Sequence, residues 1–277
     1  SLWNGRYLYD LYKESYMPWE WHEEIMHDAK RLGILCFSSP FDESAVDFLE
    51  QLNVPAYKIA SFENTDLELI RKVASTGKPI IISSGMASSE EIGEALDIIR
   101  LEGCDKFSVL KCTSTYPALP NDSNILTIPD MRDLFGCEIG LSDHTLGIGA
   151  AIAAVAHGAT IIEKHFTISR KDGGADSAFS LEPKEMSLLV SETKRAWESL
   201  GRVYYGPTKS EQRSITSRRS LYVAKDMEKD DIFDKFNLRS VRPGHGLAPK
   251  YYGRVLGKSV NRSVRKGTPV SWEIIDE

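Results

Sequence analysis

Two histidines define the chemistry open to this chain. They stand in Gly140-Leu-Ser142-Asp143-His144-Thr145 and in Ile161-Ile162-Glu163-Lys164-His165-Phe166, 21 residues apart. In both segments an apolar run ends in charged and imidazole groups. The interval of one βα step puts two nitrogen ligands side by side at the carboxyl ends of adjacent parallel strands, where barrel enzymes keep their chemistry. Two imidazoles, each with an acidic residue within two positions, suit a divalent metal; a lone histidine at a strand end would more often be a structural hydrogen-bonding group. Other apolar runs lead to hydroxyls and lysines: Ser38-Ser39-Pro40, then Lys58 and Ser61, then Ser83-Ser84-Gly85, then Lys111 with Thr113, Ser114 and Tyr116, and finally Ser142. Such groups converging on one rim suit a phosphorylated, anionic substrate. A lysine inside an apolar strand must reach water, an anion or a carboxylate. Lys58 is read that way. Lys111 is left open, because its neighbour Cys112 could take the inward position instead. Lys164 alternates against Glu163 and His165, so it is expected to face the helix layer. In the loop Arg170–Ser177, Asp176 either binds sugar hydroxyls or caps the following turn.

The elements that must hold these residues are short β-branched runs alternating with amphipathic segments, the pattern of a parallel sheet with crossover helices. Strands are expected at Ile34–Ser38, Tyr57–Ser61, Pro79–Ser83, Phe107–Thr113, Cys137–Ser142 and Thr160–His165. Helices are expected at Trp19–Leu32, Asp42–Leu52, Thr65–Ser75, Ser88–Arg100, Ile128–Phe135, Gly147–His157 and Pro183–Leu200. Ser88 followed by Glu91 reads as a capping box. A closed (β/α)8 barrel has eight strands and only six are counted, so either the sheet is open or the barrel is seen without its first two strands. A doubly wound sheet gathers its site near one switch point, whereas polar groups here end every strand, which favours the barrel. The TIM-barrel part is placed at residues 1–200, a polar connector at 201–218, and a small β-rich domain at 219–277 with pieces at Ser220–Ala224, Leu238–Val241, Val255–Ser259 and Val270–Ile274. In that domain Arg239 and Arg242 lead into a Pro-Gly turn; a solvated charge pair is the default reading, and an arginine held by such a turn can also be aimed at a ligand.

Composition sets the outer bounds. The chain has 277 residues, 42% of them hydrophobic, and a formal net charge of −6. An acidic balance argues against a nucleic-acid binder. Cys36, Cys104, Cys112 and Cys137 lie in or beside apolar runs with no CxxC, as buried thiols in a reducing compartment would. No apolar run reaches the roughly 18 residues of a membrane span, and no signal-peptide pattern opens the chain. The chain opens on Ser1-Leu-Trp-Asn4 without an initiator Met, and a soluble, cytoplasmic protein with a shortened front is expected.

Together, Phe37-Ser-Ser-Pro-Phe41, Tyr57-Lys-Ile-Ala-Ser61, Leu110-Lys-Cys-Thr-Ser-Thr-Tyr-Pro117, Gly140-Leu-Ser-Asp-His-Thr-Leu-Gly147, Ile162-Glu-Lys-His-Phe-Thr167 and Val241-Arg-Pro-Gly244 resemble the sialic acid synthase family. Leu8-Tyr-Asp-Leu-Tyr12, Pro18-Trp-Glu-Trp-His22 and Asp176-Ser-Ala-Phe-Ser-Leu-Glu-Pro183 are similar to its pseudaminic acid synthase branch. The small domain resembles the antifreeze-like, or SAF, module that ends such synthases. The resemblance implies a transferase that condenses phosphoenolpyruvate with the open-chain aldehyde of an N-acetylated amino sugar. By that resemblance His144 and His165 hold Mn²⁺, or Mg²⁺ or Co²⁺ in its place. Ser39, Lys58, Ser61 and Ser142 bind phosphoenolpyruvate. Tyr116, Asp176 and Ser114 line the substrate, and Glu163 stands near the reacting centre. Arg242 comes from the neighbouring subunit of a domain-swapped homodimer and contacts the acyl-amino group. The family has Thr where this chain has Ser39 and Asn where it has Ser114, which fits a shifted sugar preference. It also places a Glu on the first barrel strand and a Lys on the second, the two strands not counted here. The branch implies a 6-deoxy-2,4-diacetamido hexose, for which Phe179 is a candidate apolar wall. Alternatives are the same reaction on N-acetylmannosamine or a legionaminic-type precursor, and a fragment that only binds ligand.

Overall fold

The computed structural model describes residues 7–276; the opening Ser1–Asn4 and the side chains of Leu8, Leu11 and Ser15 lie outside that description. The chain forms two compact units, Ser1–Gly201 and Arg202–Glu277.

In the first unit, α1 (Leu8–Ser15), α2 (Trp19–Leu32) and α3 (Glu43–Gln51) precede the sheet. Strands and helices then alternate: β1 (Tyr57–Ile59), α4 (Leu67–Ala74), β2 (Ile80–Ser83), α5 (Ser89–Leu101), β3 (Phe107–Cys112), α6 (Thr127–Phe135), β4 (Glu138–Asp143), α7 (Gly149–Ala156), β5 (Ile162–Lys164) and α8 (Pro183–Leu200). All five strands are parallel and lie in sequence order, β1 to β5. A doubly wound sheet reverses its strand order at a switch point. This one does not, so the unit is a curled part of a (β/α)8-like barrel.

The sequence pattern dictates this layering. Tyr57, Ile59, Ile80, Ile82, Val109 and Ile139 point from the strands into a core shared with Ile70, Leu96, Ile99 and Ile128 of the helices. Side chains alternate across a strand, so the intervening positions face the other way and are free to be polar. Caps fix the helix starts. Asp42 accepts from Ala45 N at 2.8 Å, and Ser88 and Glu91 form the expected capping box.

One expected strand is not a strand. Ile34–Ser38 has no ladder, although the Lys58 amide donates to Ser38 O at 3.4 Å, so the segment runs beside β1. Its apolar side chains explain the difference: Ile34 and Leu35 are 62% and 79% exposed, and Phe37 is also exposed, so packing gives the segment little reason to order.

The second unit has its own core of Leu221, Val223, Phe233, Leu238, Val255, Val260 and Val270. β6 (Ser220–Val223) and β7 (Leu238–Val241) pair antiparallel. The two other expected β pieces are corrected. Val255 ends a short helix, α9 (Tyr252–Val255), and Trp272–Ile274 is a 3-10 turn. Isolated bridges, Ile232 with Ser259 and Val260 with Ile275, do the joining there instead of ladders.

Candidate active site

Register assembles the site. Ser142 pairs with Cys112 on one side and Glu163 on the other, and Ser83 pairs with Leu110. A period of two puts these side chains and Lys58 on one face of the sheet. There the Lys58 ammonium, on a residue 9% exposed, donates to Ser83 Oγ at 2.8 Å and Ile59 O at 3.0 Å, and lies 3.6 Å from Glu163 Oε2. Ser142 Oγ donates to the other Glu163 oxygen at 2.6 Å. Burial pulls the Lys58 pKa down, and the Glu163 carboxylate opposes that without cancelling it. A cation held this way gains from an arriving anion.

The next register position carries the histidines, each one residue past its strand. Their ring centroids are 5.1 Å apart. His144 Nδ1 faces Thr113 O at 2.9 Å, and His165 Nδ1 faces Asp176 Oδ2 at 3.4 Å. With a carbonyl acceptor on Nδ1, His144 carries its proton there and presents Nε2 as its acceptor nitrogen. An oxygen partner behind the ring is the usual setting of a metal-ligating imidazole. The donor set therefore fits a divalent ion. Among the described residues no group of three His, Cys, Asp or Glu side chains is ready-made for one, so the remaining ligands would come from substrate and water.

Aromatic rings flank the two histidines. Tyr116 lies 4.4 Å from His144 and 5.6 Å from Phe179, and Phe179 lies 5.0 Å from His165. Phe179 is 2% exposed, so it is a wall of this cluster. Burial first, and then nearby negative groups, push the Tyr116 hydroxyl up to about 12, so it is a neutral donor at ordinary pH. Beside it Ser114 Oγ donates to Ser61 Oγ at 2.7 Å.

The structure thus brings together Lys58, Ser61, Ser114, Tyr116, Ser142, His144, Glu163, His165 and Asp176. Ser39 is half-buried beside β1 and is not drawn into these bonds among the described residues. Arg242 belongs to the second unit, directly after β7.

Sequence reasoning passed over Cys112 and Asn64. Cys112 is 2% exposed, and its thiol meets Ser114 Oγ at 3.8 Å and hydrogen-bonds His144. Burial alone would raise the thiol pKa and lower that of the imidazole. Burial is the largest single influence on each, but it is outweighed by the bond and charge between them taken together with Ser114 and Ser142 beside the thiol and Thr113 O and Glu163 beside the imidazole, so the thiol is drawn down and the imidazole up. Alternation against Lys111 was the available signal, and it resolves with Cys112 inward. Lys111 turns to Thr113 Oγ1 at 2.9 Å. Asn64 Nδ2 donates to Ser83 O at 2.9 Å and Ser84 O at 2.6 Å, holding the end of β2, and no local pattern marks such a bond.

Residues 1–205 match the NeuB family model and residues 218–275 the SAF domain model. The pseudaminic acid synthase of Campylobacter jejuni subsp. jejuni is 41% identical over 270 residues, 96% of this chain and 78% of that protein. The pseudaminic acid synthase of Helicobacter pylori is 39% identical over 278 residues, 100% of this chain and 82% of that protein. Among solved structures, the N-acetylneuraminic acid (sialic acid) synthetase of Leptospira borgpetersenii serovar Hardjo-bovis superposes with a TM-score of 0.68 at 36% identity, over 72% of this chain and 70% of that one. A barrel rim of this composition and a family match across nearly three quarters of the chain agree, and the chain belongs to the NeuB family, with a SAF domain after its barrel unit.

Proposed function

We propose that the protein condenses phosphoenolpyruvate with a 6-deoxy-2,4-diacetamido hexose, giving pseudaminic acid and phosphate. One observation carries the reading: a buried ammonium, a carboxylate and paired imidazoles share one rim of the sheet. The similarity to two pseudaminic acid synthases supports the choice of sugar.

In this reaction the C2=C3 π electrons of phosphoenolpyruvate form the bond from C3 to the aldehyde carbon, whose oxygen takes up a proton to become a hydroxyl; water adds at C2, losing a proton, and the C2–O bond to phosphate breaks as the new C2 hydroxyl loses its proton and becomes the ketone. Lys58, with the hydroxyls of Ser61 and Ser142 and Ser39 nearby, binds the phosphate or carboxylate. Burial makes that contact stronger than it would be in water. Glu163, oriented by Ser142 and Lys58, is placed to take the proton released when water adds. Tyr116 donates to the sugar and Asp176 accepts from its hydroxyls, with Ser114 beside them. Phe179 offers the apolar surface that a methyl and acetamido groups favour over hydroxyls. His144 and His165 would hold a divalent metal, Mn²⁺ or else Mg²⁺ or Co²⁺. Bound there, it would polarise the aldehyde as a Lewis acid.

The assembly that fits the reading is a homodimer in which one subunit's SAF domain closes the other's barrel mouth and brings Arg242 to the acyl-amino group. Among the described residues no helix is long and apolar enough to cross a membrane. We place the reaction in the cytoplasm, where phosphoenolpyruvate is made.

The similarity to a sialic acid synthetase favours one second reading, the same chemistry on N-acetylmannosamine. A competition assay separates the two. The protein is given phosphoenolpyruvate with each sugar in turn. A kcat/KM higher for the diacetamido sugar, by roughly tenfold to a few hundredfold, is expected from crowding of an added hydroxyl. A higher value with N-acetylmannosamine rejects the pseudaminic assignment.

A further inference from the structure

On the face of the sheet opposite the site, one residue before each histidine, lies a buried ion pair. Lys164 Nζ donates to Asp143 Oδ2 at 2.8 Å, and their side chains are 2% and 1% exposed. Lys164 also donates to Thr145 O. The other Asp143 oxygen accepts from Thr145 N at 2.9 Å and Thr145 Oγ1 at 2.8 Å. One carboxylate and one ammonium thus grip the residues on both sides of His144.

The position of this pair in the register gives it meaning. Asp143 and Lys164 are the last Cα partners of the β4–β5 ladder, so the two strands separate into loops at His144 and His165. Beyond that point each histidine backbone is tied away from the other. His144 O accepts from Ala118 N at 3.0 Å, and His165 O accepts from Leu181 N at 2.9 Å. The ion pair is the final link between the strands before two rings that must meet 5.1 Å apart. A buried ion pair adds little net stability over apolar residues of the same volume, because desolvation offsets the attraction. Its attested use is to fix one arrangement among several.

We infer that Asp143 and Lys164 are positioning residues: their ion pair holds the ends of β4 and β5 together and so sets the spacing of His144 and His165. The inference rests on the proposed metal role of the histidines only for its consequence, not for the spacing itself.

The test is the double variant D143N/K164M, in which Asn keeps an acceptor for Thr145 while the link between strands is lost. Its thermal midpoint, its crystal structure and its Mn²⁺ affinity by titration calorimetry are compared with the unaltered protein. The two rings are expected to move apart from 5.1 Å. Mn²⁺ affinity is expected to fall about 10–100-fold, the usual effect of losing an outer-shell partner. A pair serving stability alone would lower the midpoint and leave ring spacing and affinity unchanged, which overturns the inference. If D143N/K164M does not fold, D143V/K164M replaces both groups by apolar ones and is judged by the same readouts. If the unaltered protein takes up no Mn²⁺, the metal role falls, and ring separation in the variant alone decides the clamp.

Discussion

Lys58 illustrates how one side chain can be held ready for an anion. Its ammonium is desolvated, which lowers its pKa, and its partners are a carboxylate at 3.6 Å and the neutral acceptors Ser83 Oγ and Ile59 O. Lys58→Ala is expected to raise the KM for phosphoenolpyruvate more than that for the sugar. Loss of one charge-assisted contact costs about 1.5–3 kcal/mol, or roughly 10–150-fold. Steady-state kinetics with each substrate varied checks this, and an unchanged KM for phosphoenolpyruvate would remove Lys58 from the site. The histidines make a second prediction. H144A/H165A should lose turnover yet keep its circular dichroism spectrum, and protein treated with EDTA should recover activity on addition of Mn²⁺. Full activity in the EDTA-treated protein would dispose of the metal. The two histidines and Glu163 were legible because they end apolar runs, and Lys58 because it interrupts one. Cys112 was not, because a cysteine in an apolar run is ordinarily just core, and only the register with Ser142 shows which way it turns.

Among the elements, the turn after β2 is as constrained as any strand. Gly85 has φ +51°, in the left-handed region that glycine enters without cost. A Cβ at that position would lie 2.5 Å from Ser61 Cβ and 3.0 Å from Ser114 Oγ. These two serines share the hydroxyl bond beneath the proposed anion site. Gly85→Ala should therefore cost about 1–2 kcal/mol in backbone strain and also push the serines apart. The measurable result is a raised KM for phosphoenolpyruvate together with a lower thermal midpoint. Adding Ser61→Gly, which removes the nearest atom, should recover part of the lost stability, and strictly additive effects would show that the two positions do not collide. The strand and helix order of the first unit was readable, since long periodic segments report their own burial. The segment 34–38 misled because β-branched composition describes a strand only where a neighbouring surface covers it. The last two β pieces of the second unit misled for a related reason. Short apolar runs anchor equally well as a helical turn or an isolated bridge, and tertiary packing around Val255 and Val270 decides.

At the scale of the molecule, charge is divided unevenly. Residues 1–201 hold 18 Lys and Arg against 31 Asp and Glu, while residues 202–277 hold 16 against 9. Opposite signs on two units favour association between copies and set its sensitivity to salt. The proposed homodimer is therefore expected to weaken as ionic strength rises from about 0.05 to about 0.5 M, because screening shortens the reach of exposed charges to a few ångströms. Sedimentation velocity across that range reads the change. A monomer at every salt concentration would defeat the dimer. Composition gave only the net value of −6, which hides this division because the two units partly cancel.

The strand pair β4–β5 uses both of its faces at successive residues: Ser142 and Glu163 serve one, Asp143 and Lys164 the other. The segment therefore has a reading frame. A substitution at one position alters one face, but inserting or deleting a single residue in Ile162–Lys164 exchanges the faces wholesale. A deletion would bring the ammonium of Lys164 beside Ser142 and Lys58, cation against cation, and an insertion ahead of Glu163 would set its carboxylate against that of Asp143. Homologous chains should consequently differ in length in the loops that follow these strands and not within them.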